Sequence, residues 1–121
     1  MQVVTGIDVV EVERFRTVLL RTPTLAERVF TEAERDSAKG RPAQLAGRFA
    51  VKEAALKALG VGIGAVPLRE LEVVSDPSGA PRLELGPGAR ALADRRGWSS
   101  VSCSISHERS VAVAVVVALV V

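Results

Sequence analysis

Apolar residues change their spacing along the chain, and each change marks an element. Positions 3–10 are rich in β-branched residues interrupted by Gly6 and Asp8, which predicts a strand that ends or bends near the aspartate. Helical spacing then takes over: Val12, Phe15, Val18 and Leu19 share a face, while Arg14 and Arg21 point elsewhere. Thr22-Pro23-Thr24 stops that helix, and positions 25–30 are expected to make a short helical turn. Thr31 and Glu34 have the spacing of a capping box, so a short helix over 32–38 follows and stops at Gly40. The longest helical pattern opens after Pro42 and ends at Gly60. Its apolar stripe is Leu45, Phe49, Leu56 and Leu59, with Lys52 in the middle and Glu53 on the edge.

Gly60-Val61-Gly62-Ile63-Gly64 then forms a backbone-exposing loop. It is not a dinucleotide fingerprint, because the spacing is G-x-G-x-G and it leaves a helix rather than a strand. Positions 68–75 read as a strand, Asp76-Pro77-Ser78-Gly79 as a tight turn and 81–85 as the returning strand. Pro87 starts a short helix carrying Ala89, Leu92 and Ala93, which Gly97 ends. Strict alternation follows, with Val101, Cys103 and Ile105 on one face and Ser100, Ser102, Ser104 and Ser106 on the other. His107-Glu108-Arg109-Ser110 turns the chain into a last strand over 111–121. That strand is apolar on both faces, so a helix or another subunit must cover at least one of them. The order of elements predicts a single α+β domain over 1–121 with a largely antiparallel sheet and no internal repeat.

Composition narrows the possibilities. The chain has 121 residues and 3% aromatics, Phe15, Phe30, Phe49 and Trp98, so Val, Leu and Ala must build the core and burial between subunits would help. Sixteen basic residues oppose fourteen acidic ones, and the charge is dispersed with almost no rings for base stacking, which argues against nucleic acid. One cysteine, Cys103, and one histidine, His107, exclude an internal disulfide and cysteine- or histidine-cluster metal sites. Any metal would be a hard cation on carboxylates. The first residues lack a signal-peptide pattern, and the eleven apolar residues at 111–121 fall short of the roughly twenty needed to span a bilayer. A soluble cytoplasmic protein without a membrane partner is expected.

Two carboxylates stand out against this background. Asp8 interrupts an apolar strand and Glu53 edges the long helix; if these elements pack together, the pair can hold one Mg²⁺ and leave positions for water and phosphate oxygens. Arg48 and Lys52 lie four apart on one helix face, an arrangement that something negative would have to offset. Two of the three lysines, Lys52 and Lys57, fall within six residues, and lysine is a compact charge for phosphate. The combination suggests a Mg²⁺ and polyphosphate site. The plainer alternative is that Lys52 snorkels to solvent and Glu53 pairs with Lys57.

Three segments together carry a resemblance: Gly6-Ile7-Asp8-Val9-Val10-Glu11-Val12-Glu13-Arg14; Arg48-Phe49-Ala50-Val51-Lys52-Glu53-Ala54 with Lys57-Ala58-Leu59-Gly60; and Ser104-Ile105-Ser106-His107 before an Ala/Val strand. In order and spacing they closely resemble the holo-acyl-carrier-protein synthases, the small 4′-phosphopantetheinyl transferases. The resemblance implies that family's fold, an antiparallel sheet packed against a long central helix. It also implies Mg²⁺-dependent transfer of the phosphopantetheine arm of coenzyme A to a serine of an apo acyl carrier protein, releasing adenosine 3′,5′-bisphosphate. Asp8 and Glu53 match the metal and catalytic positions, with the base either Glu53 or a metal-bound water. Arg48, Lys52, Lys57, Gly62, Gly64 and His107 match positions near coenzyme A, and Arg14, Arg21 and Arg28 match positions facing the acidic carrier. Family members are typically homotrimers with active sites between subunits. A rival reading is a non-catalytic subunit that keeps the fold to bind coenzyme A or a carrier; intact Asp8, Glu53, Lys57 and His107 argue against it.

Overall fold

A computed structural model describes residues 1–121. Strand β1 (Gln2–Glu11) leads into helices α1 (Val12–Arg21), α2 (Leu25–Val29), α3 (Glu32–Ala38) and α4 (Pro42–Leu59); then come strands β2 (Leu71–Ser75) and β3 (Pro81–Leu85), helix α5 (Pro87–Arg95), and strands β4 (Trp98–His107) and β5 (Val111–Val120). All strand pairing is antiparallel, in a three-stranded sheet ordered β1-β5-β4 and a β2-β3 hairpin. The fold is α+β, with the long helix α4 lying on the larger sheet, as expected.

Two local expectations are corrected. β1 does not bend at Asp8: its ladder with β5 runs unbroken from Gln2 opposite Val120 to Glu11 opposite Val111, and Asp8 faces Ala114 within it. Gly6 and Asp8 interrupt the apolar pattern because both lie on the face that α4 covers. Residues 68–70 form a 3₁₀ turn rather than the start of β2. Pro67 opens that turn, and it lets Glu70 accept hydrogen bonds from the Gly88 and Ala89 amides at 2.6 and 3.1 Å, closing the start of α5.

Small residues decide how close α4 comes to the sheet. On its sheet-facing side Ala54 meets Gly6 of β1 and buried Gly47 meets Ile105 and His107 of β4, while Ala112, Ala114 and Ala118 of β5 are fully buried. A Cβ on Gly6 would overlap the Ala54 carbonyl, so only glycine permits this approach. The aromatics therefore lie elsewhere. Phe15 packs edge-on to Phe30 (centroids 6.2 Å) and against Phe49 (5.2 Å) in a second cluster under α1–α3, while Trp98 joins the main core beside α5.

The other face of the large sheet is uncovered within one chain. Thr5, Ile7 and Val9 of β1 align across the register with Val117, Val115 and Val113 of β5, and these with Ser102, Ser104 and Ser106 of β4. Ile7 is 58% and Val9 59% exposed. No helix is long and apolar enough to cross a membrane.

Candidate active site

The close contact of α4 with β1 brings Asp8 and Glu53 to one cavity of about 650 Å³. Asp8 points from the inner face of β1, and Glu53 sits on the edge of α4 that faces it. Val10, Phe15, Leu25, Val29, Phe49 and Leu68 supply much of the apolar wall, with Arg14 and Arg28 also lining the cavity. The result is a mainly apolar pocket whose charged lining is Asp8, Glu11 and Glu53 against Arg14 and Arg28, a form suited to holding a largely apolar arm with a charged end.

Electrostatics couples the two acids. Lys57, one helical turn beyond Glu53, passes its nearest carboxylate and reaches β1, where Nζ lies 3.2 Å from Asp8 Oδ1 and donates to the Ile7 carbonyl at 2.9 Å. The plainer expectation of a Glu53–Lys57 pair is thereby corrected. Burial, and then the Asp8 charge, push the Glu53 carboxyl above the usual range; Lys57 opposes them only in part. Asp8 and Glu53 thus leave negative charge that one lysine does not balance, and hard oxygen donors of this kind suit a hard divalent cation. No third His, Cys, Asp or Glu completes a protein-only cluster, so further ligands would come from water or substrate oxygens.

The remaining expected residues divide into groups. Ile63, between Gly62 and Gly64, lines the cavity; Gly64 adopts φ +102°, and the space beside both glycines is open to a ligand's approach. Arg21, in the last turn of α1, does not line the cavity. His107 and Arg48 belong with the N-terminal half of α4: His107 Nε2 lies 3.1 Å from the Ala43 carbonyl and packs against Gly47. Arg48 donates to Ser37 Oγ at 2.7 Å and to the Gln44 carbonyl at 3.1 Å, while its buried Nε has no partner. Asp8 pairs with Ala114 and His107 with Ala112, so the two lie two strands and two residues apart, roughly 12 Å along the sheet.

Lys52 is the clear correction. It neither snorkels out nor offers an ammonium to phosphate: its side chain is 0% exposed, and Nζ donates to Glu34 Oε1 (2.8 Å) and to the Leu68 and Leu71 carbonyls (both 2.9 Å). All three donors are used. The ammonium also lies 5.5 Å from the Phe30 ring centroid. Burial lowers its pKa, and Glu34 opposes the shift. Glu34 was legible only as a helix cap; a lysine in an apolar stripe was the available hint that a buried carboxylate must face it.

Comparison with known proteins decides the family. Residues 5–116 match the family model described as the 4′-phosphopantetheinyl transferase superfamily. The chain belongs to that superfamily. Among curated members, the holo-[acyl-carrier-protein] synthase of Salinispora arenicola is 49% identical over 121 residues, covering 98% of both chains. That of Frankia casuarinae is 46% identical over 113 residues, covering 93% of each. Among solved members, the Helicobacter pylori holo-[acyl-carrier-protein] synthase in complex with coenzyme A superposes with a TM-score of 0.87 at 34% identity, covering 95% of this chain and 99% of that one. The Chronobacterium ammoniagenes ACPS-CoA complex gives 0.91 at 30% identity, covering 100% and 99%. The superfamily's matched span includes Asp8, Glu53, Lys57 and His107.

Proposed function

We propose that this transferase moves the 4′-phosphopantetheine arm of coenzyme A to a serine hydroxyl of an apo acyl carrier protein, with Mg²⁺ held by Asp8 and Glu53. The observation that carries the reading is the convergence of these two carboxylates, incompletely balanced by Lys57, on an apolar cavity lined also by Arg14 and Arg28. The pantetheine arm would lie against the apolar wall. A divalent cation in such a site neutralises the pyrophosphate and the leaving bisphosphate.

The chain's own groups account for the remaining steps. Glu53, which lines the cavity, is the carboxylate proposed to take the serine proton. The serine oxygen then forms its bond to the β-phosphorus, the pyrophosphate P–O bond breaks, and adenosine 3′,5′-bisphosphate leaves. Lys57, more than half exposed, is free to exchange Asp8 for a substrate phosphate. Arg14, Arg21 and Arg28 would attract an acidic carrier toward the cavity mouth.

The proposed assembly is a homotrimer with shared sites. His107 lies roughly 12 Å from Asp8 across the sheet, too far to meet the same pyrophosphate from one chain, so a neighbouring chain would bring its His107 to the adenosine end of coenzyme A. The uncovered apolar sheet face supports such an association. The test is the intact mass of several apo carriers after incubation with coenzyme A, Mg²⁺ and folded protein. One carrier serine gaining one phosphopantetheine is expected. Tight coenzyme A binding without any mass change would favour a non-catalytic binding subunit.

A further inference from the structure

We infer that the buried Glu34–Lys52 pair is a positioning device for the active-site cavity, setting the distance between α4 and the opposing wall; this rests on the reading of that cavity given above. Lys52 Nζ sends its donors to separate pieces of chain: Glu34 in α3, the Leu68 carbonyl in the 3₁₀ turn and the Leu71 carbonyl in β2. Glu34 gathers two more, accepting from the Thr31 amide at 2.9 Å on Oε1 and from the Val73 amide at 3.0 Å on Oε2. The tied segments carry the cavity wall. Val29 and Leu25 precede Thr31, Leu68 is itself a wall residue, and Phe49 and Glu53 flank Lys52 on α4.

A fully buried ion pair is a poor source of stability, because desolvation offsets most of the attraction. Two apolar side chains would fill the same volume. The ion pair adds direction: the donors of one ammonium and both oxygens of one carboxylate fix the mutual placement of α3, α4, β2 and the 3₁₀ turn more narrowly than apolar contact does. Lys52 immediately precedes Glu53, so a shift of α4 against this wall changes how Glu53 meets Asp8 and the arm lying in the cavity. The pair touches no substrate and acts through Glu53 and the wall.

The test compares Lys52→Met, the double variant Glu34→Gln/Lys52→Met and the milder Glu34→Asp with the wild-type chain, by thermal melting and by steady-state transfer. Lys52→Met alone should melt well below wild type, because it leaves Glu34 buried without its cation, and the second substitution should recover much of that loss. Transfer should not recover with it: kcat of the folded double variant is expected to stay down roughly ten- to a hundredfold, while KM for coenzyme A moves less. Glu34→Asp, too short to reach Lys52 and Val73 together, should fold and show a smaller fall in kcat. Its methyl NMR spectrum should show shifts at Val29 and Leu68 and none at Leu92, in the part of the main core carried by α5. A folded double variant, or Glu34→Asp, with wild-type kcat and unmoved cavity methyls would overturn the inference. Absence of transfer by the wild-type chain would refute the proposed function instead, and the methyl shifts would still decide the positioning role.

Discussion

Glu53 is where burial and charge act on one residue in opposition to folding. Its carboxyl is pushed up by burial and by Asp8, so the native chain holds that proton more tightly than the unfolded chain does. The associated stability is fully present below the ordinary glutamate range, about pH 4, and is lost as pH rises through the raised native value. Glu53→Gln should therefore melt higher than wild type at neutral pH, and the gain should vanish in acid; differential scanning fluorimetry across that range checks the sign. Added Mg²⁺ should raise the wild-type melting temperature and leave that of Glu53→Gln nearly unchanged. Asp8 and Glu53 were legible because each breaks an apolar pattern. Lys52 broke its pattern in the same way and had a different cause, a buried partner eighteen residues earlier that no local spacing reveals.

At the scale of elements, one contact governs the site: α4 against β1. It requires glycine at position 6, since an added Cβ meets the backbone carbonyl of Ala54, which cannot swing aside as a side chain can. Gly6→Ala should cost about 3 kcal/mol or more, read from urea denaturation, and the surviving folded fraction should transfer poorly because Asp8 has moved from Glu53. A loss below about 0.5 kcal/mol would mean the two elements are not packed this closely. Most elements could be read from capping and periodicity. The Thr31–Glu34 box is formed as expected, and Gly60 closes α4 in a left-handed conformation. The missed features depend on tertiary pairing: the full β5 ladder carries β1 past Asp8, and Glu70 turns residues 68–70 toward α5.

The whole molecule explains the aromatic-poor composition. Alanine and glycine let α4 lie close on the sheet, while Thr5, Ile7 and Val9 of β1 and Val113, Val115 and Val117 of β5 share the outer face, leaving Ile7 and Val9 exposed in a single chain. With His107 distant from Asp8, the proposed trimer would cover that face and complete each site together. Sedimentation equilibrium should give three times the chain mass. Ile7→Lys should give a folded single chain that does not transfer, and a fully active single chain would contradict shared sites. A companion check mixes Glu53→Gln with a chain lacking the His107 imidazole; subunit exchange should restore part of the activity that neither variant shows alone.

The central claim is that Asp8 and Glu53 support metal-dependent phosphopantetheinyl transfer, and intact mass spectrometry of an apo carrier tests it most directly. Carrier is incubated with coenzyme A and Mg²⁺ beside wild type, Asp8→Asn or Glu53→Gln, each shown by melting to be folded. The account predicts one phosphopantetheine added by wild type, none when Mg²⁺ is removed by chelation, and a loss of at least about a hundredfold in rate for each variant. Near wild-type transfer by both folded variants would contradict it.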